Sequence, residues 1–152
     1  MRTDKERLGD DMAEKYKSLT NFLPQIKNIE YGKWYPEKQT GDGSKEYPFQ
    51  MPCVVYAEVV RMLVKEIYSF EKEHPEYGLN RYDQILEKNK IELGDGKAMA
   101  DADVTHLDGQ CVMALLMAAV RAERFCDGAL LGFFEIGCIQ RWLKRLEELD
   151  KE

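Results

Sequence analysis

The chain has 152 residues, 44% hydrophobic and 33% charged, with a formal net charge of -6. That length fits one domain, which can bury about 68–70% of its unfolded surface without a metal or a disulfide. The acidic balance argues against nucleic-acid binding, which needs a basic face.

The opening residues 1–19 alternate acid and base and lack an apolar core, so no signal peptide is expected. Residues 2–21 place Leu8, Met12, Tyr16 and Leu19 at helical spacing. This predicts an amphipathic helix that stops before Pro24 or continues as a short kinked turn, with Phe22, Leu23 and Ile26 extending its stripe.

Residues 29–52 change character, with Tyr31, Trp34, Tyr35, Tyr47 and Phe49 set among Pro36, Pro48 and Pro52. Prolines at this density exclude a long helix. Aromatic arms around Gly41-Asp42-Gly43-Ser44 suggest a loose hairpin or two short extended segments. The Gly-x-Gly is no phosphate loop, because Lys45 is not followed by Ser or Thr. The aromatics are expected to roof a helical core, the alternative being a pocket or partner surface.

Pro52 reads as the first residue of the next helix, with Val55, Val59, Leu63, Ile67 and Phe70 on one stripe, ending near His74-Pro75. A weaker helical pattern follows through Tyr82, Ile85 and Leu86, with Asn80 as N-cap. Residues 90–99 read as a loop. Asp95, Asp101, Asp103 and Asp108 invite a calcium reading, but Asp101 and Asp103 lack the Gly and distal Glu of a calcium loop, and the aspartates here fit helix starts instead.

The chain's centre of gravity is the unbroken apolar run from Cys111 to Val120. It predicts a helix starting between Asp103 and Asp108 and surrounded by other elements, with Phe125 continuing its face. The run is about half the roughly 20 residues a membrane span needs. Asp127-Gly128 breaks it, with Asp127 as N-cap of a short helix that Gly137 stops. The last helix has Ile139, Trp142, Leu143, Leu146 and Leu149 on one face. Its other face is expected to be solvated, with Arg141, Lys144 and Arg145 as its basic residues.

Cys53, Cys111, Cys126 and Cys138 form no Cys-x-x-Cys pair. Four free thiols in a reducing, cytoplasmic setting are expected. Neither a metal nor a cofactor is expected.

The candidate binding cluster is Glu123, Arg124, Cys126, Asp127 and Gly128, a set of charges and a thiol at a helix break. A helix N-terminus there can hold an anion, and Arg124 can clamp a carboxylate or phosphate. The plainer reading has Glu123 and Arg124 paired with neighbouring charges, Asp127 capping, Gly128 turning, and Phe125 and Cys126 packed. A nucleophilic Cys126 would want a histidine base. His106 lies about 30 Å away along one helix, and His74 stands at another helix end.

The stretch Val120-Arg121-Ala122-Glu123-Arg124-Phe125-Cys126-Asp127-Gly128, with Glu135, Gly137 and Trp142-Leu143-Lys144-Arg145-Leu146, resembles the C-terminal signature of a prokaryotic domain-of-unknown-function family. Phe22-Leu23-Pro24 with Gly32-Lys33-Trp34, and Met51-Pro52 through Tyr56 with Glu58, are similar to it as well. The resemblance covers most of the chain and implies a small, intracellular, mostly helical domain. It brings no activity, cofactor or catalytic residue.

The sequence therefore predicts a mostly α single-domain bundle of about five or six helices, with an irregular or hairpin segment near residues 29–52. With no complete catalytic constellation, the leading expectation is a non-catalytic cytosolic interaction or small-ligand-binding domain. Its partner would be a protein or a second copy, with no membrane and no nucleic acid. The alternative is an enzyme acting on an anionic small molecule through Glu123, Arg124, Cys126 and Asp127. A nucleic-acid regulator using the last helix comes third.

Overall fold

The computed structural model describes residues 14–94 and 96–152. The expected stripe positions Leu8 and Met12, and Asp95, lie outside them. Within them the chain is mostly helical, with one small sheet.

The central helix forms where the apolar run predicts it, as Gly109–Ala122, and every residue from Cys111 to Val120 is at most 4% exposed. Asp108 caps it, accepting from the Cys111 N–H at 2.9 Å. Gly109 is required at its start by a close approach, because a Cβ there would collide with the Tyr16 hydroxyl. That hydroxyl shares a 2.7 Å hydrogen bond with Tyr77. Burial, then the bond to Tyr77, raises the Tyr16 pKa well above the usual phenol value.

In chain order the helices are α1 (Lys17–Thr20), α2 (Glu58–Glu73), α3 (Tyr82–Lys88), α4 (Lys97–Asp101), α5 (Gly109–Ala122), α6 (Ala129–Glu135) and α7 (Cys138–Lys151). Four short 3-10 turns lie between them. α5 packs against α2, α3, α6 and α7, and one buried core runs through all five. α7 buries Ile139, Trp142, Leu143 and Leu146 as its apolar stripe predicts. Tyr16 N–H donates to Asp150 at 3.1 Å and ties the chain ahead of α1 to the last turns of α7.

The other face of α7 is solvated as expected at Arg141, Lys144 and Glu148, but two of its arginines also make bonds the sequence did not suggest. Arg141 donates to the Ala100 carbonyl at 2.7 Å and Arg145 to the Leu107 carbonyl at 3.1 Å. These arginines tie α7 to the end of α4 and to the segment just ahead of α5. The two segments end in carbonyls that no helix satisfies, and a guanidinium on a long stem reaches them.

The hairpin expected near residues 29–52 is present but reaches further. β1 (Gly32–Tyr35) pairs antiparallel with β2 (Cys53–Tyr56), Gly32 opposite Tyr56 and Tyr35 opposite Cys53. Pro52 therefore does not open a helix, and Val55 belongs to a strand, 58% exposed. Cys-Val-Val-Tyr is β-branched and aromatic, and with a partner strand beside it, pairing outweighs its accidental helical spacing. α2 starts only at Glu58.

Two smaller boundaries also move. Asn80 lies inside a 3-10 turn and caps nothing, and α4 begins within the stretch read as a loop. Among the described residues no helix is long and apolar enough to cross a membrane.

Candidate functional site

The turn between α5 and α6 is built from the Glu-Arg-Phe-Cys-Asp-Gly stretch. α5 ends at Ala122, and the Cys126 N–H closes back onto the Ala122 carbonyl at 3.0 Å. Gly128 then takes φ +90°, a left-handed conformation that side chains resist, and becomes the N-cap of α6. Asp127 does not cap. A carboxylate five residues before Gly128 does the work instead.

Glu123 accepts from the Gly128 N–H at 3.0 Å and from the Leu130 N–H at 3.0 Å. It also accepts from the Tyr56 hydroxyl at 2.6 Å. The Tyr56 oxygen in turn accepts from the Leu131 N–H at 2.9 Å. The Ala129 N–H goes to the Cys126 carbonyl at 3.1 Å. Each donor at the start of α6 is thus satisfied within the chain, and Glu123 holds the place an incoming anion would take. Burial, then the bond to Glu123 and its charge, raises the Tyr56 pKa above the usual phenol value. Tyr56 therefore acts as a fixed donor at neutral pH.

Tyr56 and Trp34 are the members that sequence reasoning missed. Tyr56 fell within the helix expected to open at Pro52, and its partner lies 67 positions away. Trp34 lies over Gly128, where an added Cβ would stand 2.7 Å from Cη2 of the indole and nearer still to Cζ2. Two distant stretches of the chain thus meet the turn at one place. β1 supplies Trp34, β2 supplies Tyr56, and the α5–α6 turn supplies Glu123 and Gly128.

The chain belongs to a family of unknown function, DUF6508. The family's model matches residues 11–152. No curated protein and no solved structure matches. Membership bears out the expected resemblance as far as a family of unknown function, and it brings no activity with it.

The remaining site residues of this DUF6508 chain stand apart from the Glu123 network. Arg124 is exposed and holds its guanidinium 5.5 Å from the centre of the Tyr68 ring. Asp127 is exposed, and its carboxylate makes no hydrogen bond or ion pair among the described residues. Phe125, at 87% exposure, and Cys126 are not packed, because the helix that would have buried them ends at Ala122. They border an apolar cleft of about 870 Å³ that also takes in Tyr82, Met99, Ala118 and Phe133.

The expected charge pairing is placed elsewhere. Arg121, not Glu123, pairs across the bundle, 3.2 Å from Glu71. The histidines are remote from Cys126. His74 closes α2 against Phe70 and Tyr77, and His106 precedes α5 at the opposite end from Cys126. Among the described residues no cluster of His, Cys, Asp or Glu could hold a metal.

The four thiols are unpaired, Cys53 and Cys126 exposed, Cys111 and Cys138 buried. Burial pushes the Cys111 thiol up to about 11. A thiol-specific reagent at neutral pH should therefore modify Cys53 and Cys126 at once, and Cys111 and Cys138 only on unfolding. Mass mapping of the labelled chain before and after denaturant checks this.

Proposed function

We propose that this chain is a non-catalytic binding module that receives a protein partner on the outward face of its β-hairpin. The observation that carries this is exposure. Tyr35 is 71% exposed, Met51 67% and Val55 58%. Val55 stands opposite Lys33, and Tyr35 opposite Cys53, so these four side chains share the face turned away from Trp34 and Tyr56. Aromatics were expected to roof the core, but Tyr35, Tyr47 and Phe49 all lie open. Concentrated apolar exposure is uncommon on a monomer and marks a surface that another molecule covers. Tyr and Met, exposed here as Tyr35 and Met51, are residue types enriched in interface cores.

Two further points support the reading. The carboxylate best placed for chemistry, Glu123, is spent on α6 and Tyr56. The four unpaired thiols, two of them exposed, fit a reducing cytoplasmic compartment.

The test uses immobilised wild-type chain and the variant Val55→Asp, both folded by circular dichroism. The expected result is a protein retained by the wild type that, once purified, binds it directly and at least about tenfold more weakly to the variant. Sedimentation of the chain alone separates a second copy from a different protein. The reading fails if the purified protein binds both forms alike. It also fails if the wild type binds no purified protein and stays monomeric.

A further inference from the structure

A second surface carries a different signature. Between α2 and the end of α5 lies a cleft of about 360 Å³. Its floor is Val60, Val64, Val120 and Leu130, and its rim carries Arg61 and Arg124. Neither guanidinium has a carboxylate partner among the described residues. The only lining carboxylate is Glu123, already bonded to two backbone N–H groups and to Tyr56. Two guanidiniums against one committed carboxylate leave the mouth positive by one charge.

Arg124 also has a ring beside it. Its guanidinium sits 5.5 Å from the centre of the Tyr68 ring, and its N–H groups make no hydrogen bond among the described residues, so they are open to a bidentate acceptor. Ligand pockets typically span about 300–1,000 Å³ and combine apolar walls with a few placed polar groups. This cleft lies near the lower limit, so it admits one ring or a short branched chain.

We propose that the cleft binds a small organic anion, its apolar body on the valine floor and its carboxylate or phosphate between Arg61 and Arg124. The site is distinct from the outward hairpin face, so either reading can fail without the other.

Calorimetric titration of the full chain with phenylacetate, phenyl phosphate, neutral phenylacetamide and inorganic phosphate tests it. One of the two ring anions should bind saturably, and the tighter one names the headgroup. Phenylacetamide and inorganic phosphate should each bind at least about tenfold more weakly, since each lacks half of the recognition. Arg124→Gln and Arg61→Gln, both at exposed positions, should each weaken the ring anion about tenfold. Val64→Phe should block it by filling the floor, while Val55→Asp on the hairpin should leave it unchanged. The proposal is overturned if neither ring anion binds, if phenylacetamide binds as tightly as phenylacetate, or if Arg124→Gln has no effect.

Discussion

Replacing Glu123 with alanine should lower stability by about 3 kcal/mol and the melting temperature by about 10 °C. The loss has three parts. The Gly128 and Leu130 N–H groups lose their acceptor at the start of α6. The Tyr56 hydroxyl loses the acceptor it meets at 2.6 Å in a part-buried setting. Hydrogen bonds to a charged group contribute about 1.5–3 kcal/mol each, but they share one carboxylate and will not add fully. Glu123→Gln keeps one acceptor oxygen and should cost about half as much. Tyr56→Phe should cost about 1 kcal/mol alone and much less in the Glu123→Ala background, because the two groups serve one network. Urea denaturation of the wild type and the four variants measures this. An alanine variant as stable as the wild type would show that the carboxylate is not the cap.

The second large effect belongs to Gly128. Gly128→Ala should cost about 3 kcal/mol, from two sources of similar size. A side chain at φ +90° is strained by about 1–2 kcal/mol. The new Cβ also meets the Trp34 ring and must push it off the turn, and such overpacking costs about 1–3 kcal/mol. Displaced from the turn, Trp34 becomes more solvated, so tryptophan emission should shift to the red while Trp142 stays buried. Repeating the substitution in a Trp34→Ala background removes the collision and should leave only the backbone part. Equilibrium unfolding in both backgrounds separates the two terms. Equal penalties would place the whole effect in the backbone.

How much of this was legible in the sequence depended on how local each cause was. α5 was legible because ten successive apolar residues have no other stable home than the middle of a helical bundle. Asp108 was legible as a helix start, since an N-cap acts over three residues. The Asp-Gly turn was legible for the same reason, but its cap was not. Capping rules look at the residue next to the helix, whereas Glu123 reaches over the turn from the helix before it. β2 was misread because Val55 and Val59 have helical spacing, and only pairing with β1, some twenty residues earlier, decides for a strand. The aromatics were misjudged by a general expectation of burial, which a small two-stranded sheet projecting its outer face does not meet. Tyr56 and Trp34 could not be found as site members, because tertiary packing alone brings them to the turn.

One feature of the turn reaches beyond stability. The Tyr56 oxygen gives its proton to Glu123 and takes one from Leu131, so strand and helix hang on a single atom. The hairpin cannot swing outward without freeing the Leu131 N–H of α6 and losing the donor that Tyr56 presents to Glu123, the carboxylate that caps α6. Backbone protons of β1, β2 and the first turn of α6 are therefore expected to exchange with solvent as one cooperative unit, which native-state hydrogen exchange measures.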